Sequence, residues 1–187
     1  MSPLSSALRL LTFMLLSALL IFTTQWITRD RIEENQYNQR MARIIPLARS
    51  LTASQSPLLS ELEQYPLVVC SNEGGALILD GWILRVSTEG YAGTIELLAA
   101  VNREFKITAT AILSHRETPG IGDFIEPERS PWMSQFHGYA AIQTGNLALV
   151  RDGGEIDART GATITSRALT HAFANLLTGQ QAPRSCE

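Results

Sequence analysis

The sequence predicts an α+β fold, with a single N-terminal transmembrane helix followed by a domain in which helices pack on a mostly antiparallel sheet. Three observations predict it. Residues 10–27 carry no charge. Between residues 67 and 114, short runs are rich in β-branched side chains or alternate apolar with polar ones. Residues 165–178 repeat apolar side chains on one helical face. At 187 residues the chain holds one compact domain plus accessory segments. They divide as a tail over 1–9, a span over 10–27, a helical connector over 28–66 and the domain over 67–187.

The span is mostly Leu, Ile, Phe and Ala, and as a helix its 18 residues reach roughly 27 Å, close to the hydrocarbon thickness of a bilayer. Thr12, Ser17, Thr23 and Thr24 dilute it, but hydroxyls bond to carbonyls of their own helix. Trp26 stands where an interfacial aromatic belongs. A cleaved signal peptide competes with an anchor, yet no small-x-small site follows the run. A buried soluble helix is disfavoured because the segment is apolar on all sides. Arg9 precedes the span while Arg29, Arg31, Arg40 and Arg43 follow it, so a simple count of positive charge places the body in the cytoplasm.

Residues 29–49 read as a polar helical connector with Ile32, Met41, Ile44 and Ile45 as apolar positions, and residues 50–60 as a loop or short helix. Residues 67–70 and 76–79 are short strands. Asp80-Gly81 reads as a two-residue hairpin turn into a strand over 82–88, where Trp82, Leu84 and Val86 alternate with Arg85 and Ser87. Residues 94–101 and 106–114 form the next pair, joined through Asn102-Arg103-Glu104-Phe105. Ser130-Pro131 opens a short helix that Gly138 closes. A last strand spans 147–150, ended by Asp152-Gly153-Gly154. The final helix stops at Gly179, with Ala168, Leu169, Ala172, Phe173, Leu176 and Leu177 facing the core.

Composition excludes several functions. The net charge is −3, and Lys106 is the one lysine among 15 basic residues, so no nucleic-acid footprint and no polybasic lipid-binding face is expected. Phosphate-loop, dinucleotide-binding, zinc-protease and hydrolase-elbow motifs are absent. Cys70 and Cys186 are too few for a four-cysteine metal site; they form either one disulfide or two free thiols. No metal ligands and no catalytic residues are expected.

The segment that carries chemistry is Asp157-Ala158-Arg159-Thr160-Gly161-Ala162-Thr163-Ile164-Thr165-Ser166, a turn of small residues feeding hydroxyls into a helix N-terminus. The first amides of a helix lack internal partners and carry partial positive charge, so a phosphate is favoured there. By residue type alone, an Asp-initiated turn with a Thr or Ser cap is the favoured explanation. Its order resembles the recognition signal of the FMN-binding domain family, D-x-x-[ST]-G-A-T-x-[ST], with Thr160 at the first hydroxyl position. Two more pieces resemble that family. One is the loop Glu117-Thr118-Pro119-Gly120-Ile121-Gly122, and the other is Gly90-Tyr91-Ala92-Gly93 ahead of a strand.

The resemblance implies an FMN joined through its phosphate to the Thr163 hydroxyl by a dedicated flavin transferase. Gly161 and Ala162 then give steric clearance, Thr165 and Ser166 supply hydroxyls and amides near the phosphate, and Asp157 orders the turn and aids recognition by the transferase. Glu117, Thr118, Gly120 and Ile121 border the ring. With the span and the overall size, the chain is similar to the RnfG family, the flavin-carrying component of Rnf-type ion-translocating electron-transport complexes. That likeness implies a single-pass subunit of the bacterial inner membrane, in contact with membrane lipid, with its soluble domain on the periplasmic side. It also implies electron relay between the other subunits, with no substrate site of its own. Cysteines at similar places recur in such subunits, which favours export and a disulfide. The turn Asn102-Arg103-Glu104-Phe105 departs from the glycine-containing turn common there. Two rivals remain: a noncovalent FMN-binding sensor or assembly module, and an independent membrane-tethered flavin reductase.

Overall fold

A computed structural model describes residues 3–52, 58–59, 65–73, 76–140, 145–179 and 186. The chain divides into two units, one up to Ala42 and one from Arg43 onward. The first unit is helical. Helix α1 runs Pro3–Leu51, and among the described residues it is the one helix long and apolar enough to cross a membrane. Its apolar window is exposed. The hydroxyls within it bond to carbonyls one turn back, as Thr12 Oγ1 to Arg9 O at 2.9 Å and Thr24 Oγ1 to Leu20 O at 2.7 Å.

The second unit holds one sheet in the order β1-β2-β3-β4-β5, every neighbouring pair antiparallel. The strands are β1 (Leu58–Leu59), β2 (Leu67–Glu73), β3 (Ala76–Glu89), β4 (Thr94–Asn102) and β5 (Ile107–Ser114). Helix α2 (Thr163–Thr178) and the 3-10 turns at Asp123–Ile125 and Pro131–Phe136 cover one face. There Trp82, Leu84, Leu97 and Ala99 meet Phe124, Phe136, Leu169 and Phe173. The last turns of α1 cover the other face, where Ile44, Leu47 and Ala48 pack on Leu67, Val69, Ile83, Leu98 and Ala100. Covering both faces explains why the middle of β4 is an unbroken apolar run rather than an alternating one.

The segment expected as a helical connector is helical up to Leu51 and docks its last turns on the sheet. The helix continues to Leu51 through Pro46, and the compact unit already begins at Arg43. An interior proline costs about 3 kcal/mol, whereas burying Ile44 and Leu47 returns roughly 1.5–3 kcal/mol each. Burial wins. Within the expected loop over 50–60, Leu58–Leu59 pairs with Cys70 and Val69 as β1; much of the remainder lies outside the described residues.

Asp80-Gly81 is not a hairpin turn. β3 runs straight through it, and the chain reverses instead between Glu73 and Ala76. Val69 pairs with Gly81 and Cys70 with Leu79, so Asp80 is the extra residue of a β-bulge. Gly81 lies so close to β4 that a Cβ there would stand 2.3 Å from Val101 O. Asp-Gly is a local signal for a turn, and here long-range pairing overrides it.

The departing turn after β4 is solved without glycine. Phe105 takes a left-handed conformation, φ 55°, and stacks on Trp82 at 4.8 Å between ring centroids. Asn102 Oδ1 accepts from the amides of Glu104 and Lys106, both at 3.0 Å. The strand expected over 147–150 is reduced to one parallel bridge, Leu149 with Ile156, followed by a 3-10 turn Val150–Asp152. The left-handed Gly153 reverses the chain too early for a ladder. Finally, Cys70 and Cys186 are joined in a disulfide across 116 residues of chain.

Candidate functional site

Helix α2 begins at Thr163, two residues before the sequence predicts, so Ala162 occupies the cap position and offers no side-chain acceptor. The turn ahead of it is tight. Ala162 N donates to Arg159 O at 3.0 Å, and Gly161 holds the left-handed conformation, φ 84°, that its lack of a side chain permits. The motif's entry is anchored from the 3-10 helix Pro131–Phe136, where Trp132 Nε1 donates to Asp157 O at 2.6 Å and Gln135 Oε1 accepts from Asp157 N at 2.9 Å. Asp157 is therefore ordered through its backbone, with its side chain exposed.

The loop after β5 closes on itself. The amides of Ile121 and Gly122 both donate to Thr118 O, at 3.1 and 2.8 Å. His115 steadies its start: Nδ1 accepts from Glu117 N at 3.2 Å, while Nε2 meets Glu126 Oε1 at 2.9 Å. Glu117 is buried at 5% exposure. Its Oε1 accepts from Ala92 N at 3.0 Å, and its Oε2 accepts from the fully buried Thr165 hydroxyl at 2.5 Å. One carboxylate thus joins the three stretches that carry the sequence motifs. Gly122 backs it closely, since a Cβ there would sit 2.7 Å from Glu117 Cβ.

Together these elements line an open cavity of about 450 Å³, bordered by Tyr91, Glu117, Thr118, Ile121, Ala162 and Thr163 among others. Glu117, Thr118, Ile121, Gly161, Ala162, Thr163 and Thr165 all reach it. Gly120, Thr160 and Asp157 are exposed beside it and do not line it, and neither does Ser166. The hydroxyl of Thr165 is committed to Glu117. That of Ser166 is committed too, donating to Ala162 O at 3.0 Å and accepting from Arg159 N at 3.1 Å. What Thr165 offers the cavity is backbone and shape. Thr163 is half-buried, and its Oγ1 receives Arg151 Nη1 at 3.5 Å.

Sequence reasoning missed Arg151 and, as lining residues, Tyr91, Gly122 and Ile164. Tyr91 and Gly122 lie inside recognised motifs, and following those motifs residue by residue would have found them. Arg151 carries no local signal. Beside it, Arg167 binds Asp152 through both carboxylate oxygens, at 2.8 and 3.0 Å. This pairing holds the Asp152 carboxyl below its ordinary range.

The residues present suit a flavin phosphate. The start of a 16-residue helix has no side-chain cap, a guanidinium faces the hydroxyl at that start, and an apolar-rimmed cavity of cofactor size opens beside it.

Fold and cavity define a class: an α+β domain with an open cavity at the start of its last helix, preceded by an N-terminal helix of membrane-spanning length. Residues 90–178 match the FMN-binding domain family, and residues 2–44 match the RnfG N-terminal region. The chain is 31% identical to the G component of the ion-translocating oxidoreductase complex of Vibrio parahaemolyticus, over 83% of this chain and 79% of that one. It is 32% identical to the component of the same name from Pseudomonas aeruginosa, over 91% and 85% of the two chains. Among solved structures it resembles Shewanella oneidensis NqrC, with a TM-score of 0.46 and 23% identity, covering 68% of this chain and 66% of that one. The chain belongs to the RnfG family, the G components of ion-translocating oxidoreductase complexes.

Proposed function

We propose that this chain is the flavin-carrying subunit of an Rnf-type complex in the bacterial inner membrane, with FMN joined to Thr163 by a phosphoester. The observation that carries this reading is the place of one hydroxyl. Thr163 Oγ1 stands at the uncapped start of α2, at the edge of the cavity and facing a guanidinium. Attachment forms a bond from Oγ1 to the flavin phosphorus. An activated flavin donor loses a phosphate-bearing leaving group, the hydroxyl proton departs, and no electrons change hands. A flavin transferase is the partner for that step. The product is a phosphodiester with a single negative charge, matched to the helix N-terminus.

When bound, FMN supplies one- and two-electron redox chemistry that the side chains lack. The chain's own residues would hold and orient it. Gly161 keeps the turn open, Glu117 ties the loop over 117–122 to α2, and Tyr91 and Ile121 present apolar surface to a planar ring. Electrons then pass between this subunit and its neighbours in the complex, and no separate substrate is needed.

The disulfide supports a periplasmic domain, because such bonds persist in oxidising compartments. It outweighs the excess of arginines after the span, since long domains translocate largely regardless of flanking charge. Mass spectrometry of the Thr163 peptide from native membranes tests the proposal. A peptide heavier by one flavin mononucleotide residue is the expected result, and an unmodified peptide rejects it. A reporter joined at Glu187 and active only in the cytoplasm would reject the orientation.

A further inference from the structure

Arg151 sits in the 3-10 turn Val150–Asp152, and three backbone bonds fix that turn. Val150 N donates to Ile156 O at 2.9 Å, Asp152 N to Leu149 O at 2.8 Å and Gly153 N to Val150 O at 3.1 Å. The turn leaves the Arg151 side chain exposed and directs Nη1 at Thr163 Oγ1, 12 residues onward, across 3.5 Å. That separation is at the long limit for a hydrogen bond. Its neighbour Asp152 acts on it only through space, because Arg167 takes both oxygens of that carboxylate in hydrogen bonds. Among the described residues no carboxylate lies within ion-pair distance of Arg151. A guanidinium in no direct ion pair, aimed at a hydroxyl beside an uncapped helix start, is an arrangement suited to an anion.

We propose that Arg151 is a phosphate-holding residue of this site, pairing with the nonbridging oxygens of the phosphate that becomes esterified to Thr163. A phosphoryl group on Oγ1 extends outward from the hydroxyl and closes the present gap. The planar fork of the guanidinium suits two such oxygens at once. During attachment the same charge draws the donor's phosphate onto Oγ1, so Arg151 affects how fast flavin is loaded as well as how it is held. This rests on the covalent-FMN reading, with Arg151 lying outside the attachment motif.

The test uses the full chain in detergent. Loading by a flavin transferase is followed by intact mass for wild type, Arg151→Gln, Arg151→Lys and Arg103→Gln. Arg103 lies in the turn at the far end of β4 and controls for loss of charge. Arg151→Gln is expected to load about tenfold more slowly, with Lys in between and Arg103→Gln unchanged. The phosphorus NMR resonance of loaded Arg151→Gln protein is expected to move from the wild-type position. In a Thr163→Val background, which cannot form the ester, FMN titration followed by flavin fluorescence is expected to show about tenfold weaker binding when Arg151→Gln is added. Salt should reduce the difference.

Wild-type loading, resonance and affinity in Arg151→Gln overturn the proposal, as does an Arg151→Gln chain that fails to fold, since the residue would then be structural. A wild-type chain that takes no covalent flavin rejects the parent reading instead. The FMN titration then decides Arg151 alone, and binding that is absent or indifferent to Arg151 rejects it.

Discussion

Thr165 on α2 donates its hydroxyl to Glu117 in the loop after β5, 2.5 Å away and 48 residues apart in sequence, with both side chains buried. Through the other carboxylate oxygen, Glu117 also receives Ala92 N. The floor of the cavity is therefore held by a single acid joining three separate segments.

Glu117→Ala should be among the most damaging single changes in the domain. It strands the buried Thr165 hydroxyl, takes the acceptor from the Ala92 amide and opens a void, for a cost of about 2–4 kcal/mol. Glu117→Gln keeps one acceptor and can turn its amide toward Thr165, so about 1 kcal/mol is expected. Urea unfolding of the full chain checks this through the transition midpoint at constant slope. Equal midpoints for the two variants would remove the bracket role.

Thr163→Ala should separate cofactor from fold. The side chain is half-buried at the first turn of α2 and makes one long contact, so stability should stay within about 0.5 kcal/mol of wild type. Covalent flavin should vanish. Fluorescence of the denatured protein band reads the flavin, and a band that still glows would move the attachment elsewhere.

Cys186→Ser should lower stability by about 5 kcal/mol on the chain-entropy account, because the bond closes 116 residues of chain. Comparing urea midpoints of variant and wild type with and without reductant checks it. A wild-type midpoint insensitive to reductant would mean the crosslink contributes nothing.

Tyr139 should titrate late. Burial and its hydrogen bond to Glu155 Oε2, 2.8 Å, push its hydroxyl up to about 12. A phenol raised in the folded state contributes stability that is fully present below its unfolded value near 10 and is lost as the pH climbs from about 10 to about 12. Tyrosinate absorbance follows the titration. Glu155→Gln should lower the value only part of the way, because burial, the largest single cause, remains.

Legibility differs between elements for a physical reason. The apolar helix, α2 and the flavin-family motif are encoded by residues close in sequence, through apolar periodicity or residue order, so they are readable without coordinates. Asp80-Gly81 misleads because the same local pair serves a turn or a bulge, and only the pairing of Val69 and Cys70 with β3 decides which. The 147–150 segment misleads because β-propensity requires a partner strand, and here just Leu149 finds one.

By itself, the sequence determined that a membrane-length helix precedes an α+β domain and that a threonine opens its last helix within a flavin-type motif. Tertiary structure alone decided that Glu117 serves Thr165 and Ala92, that Arg151 reaches Thr163, that Cys70 meets Cys186, and that the end of α1 seals the second face of the sheet. Each of these contacts joins segments distant in sequence. Their partners are chosen by burial and by the need to satisfy buried polar groups, which depend on the whole packed chain and leave no local trace.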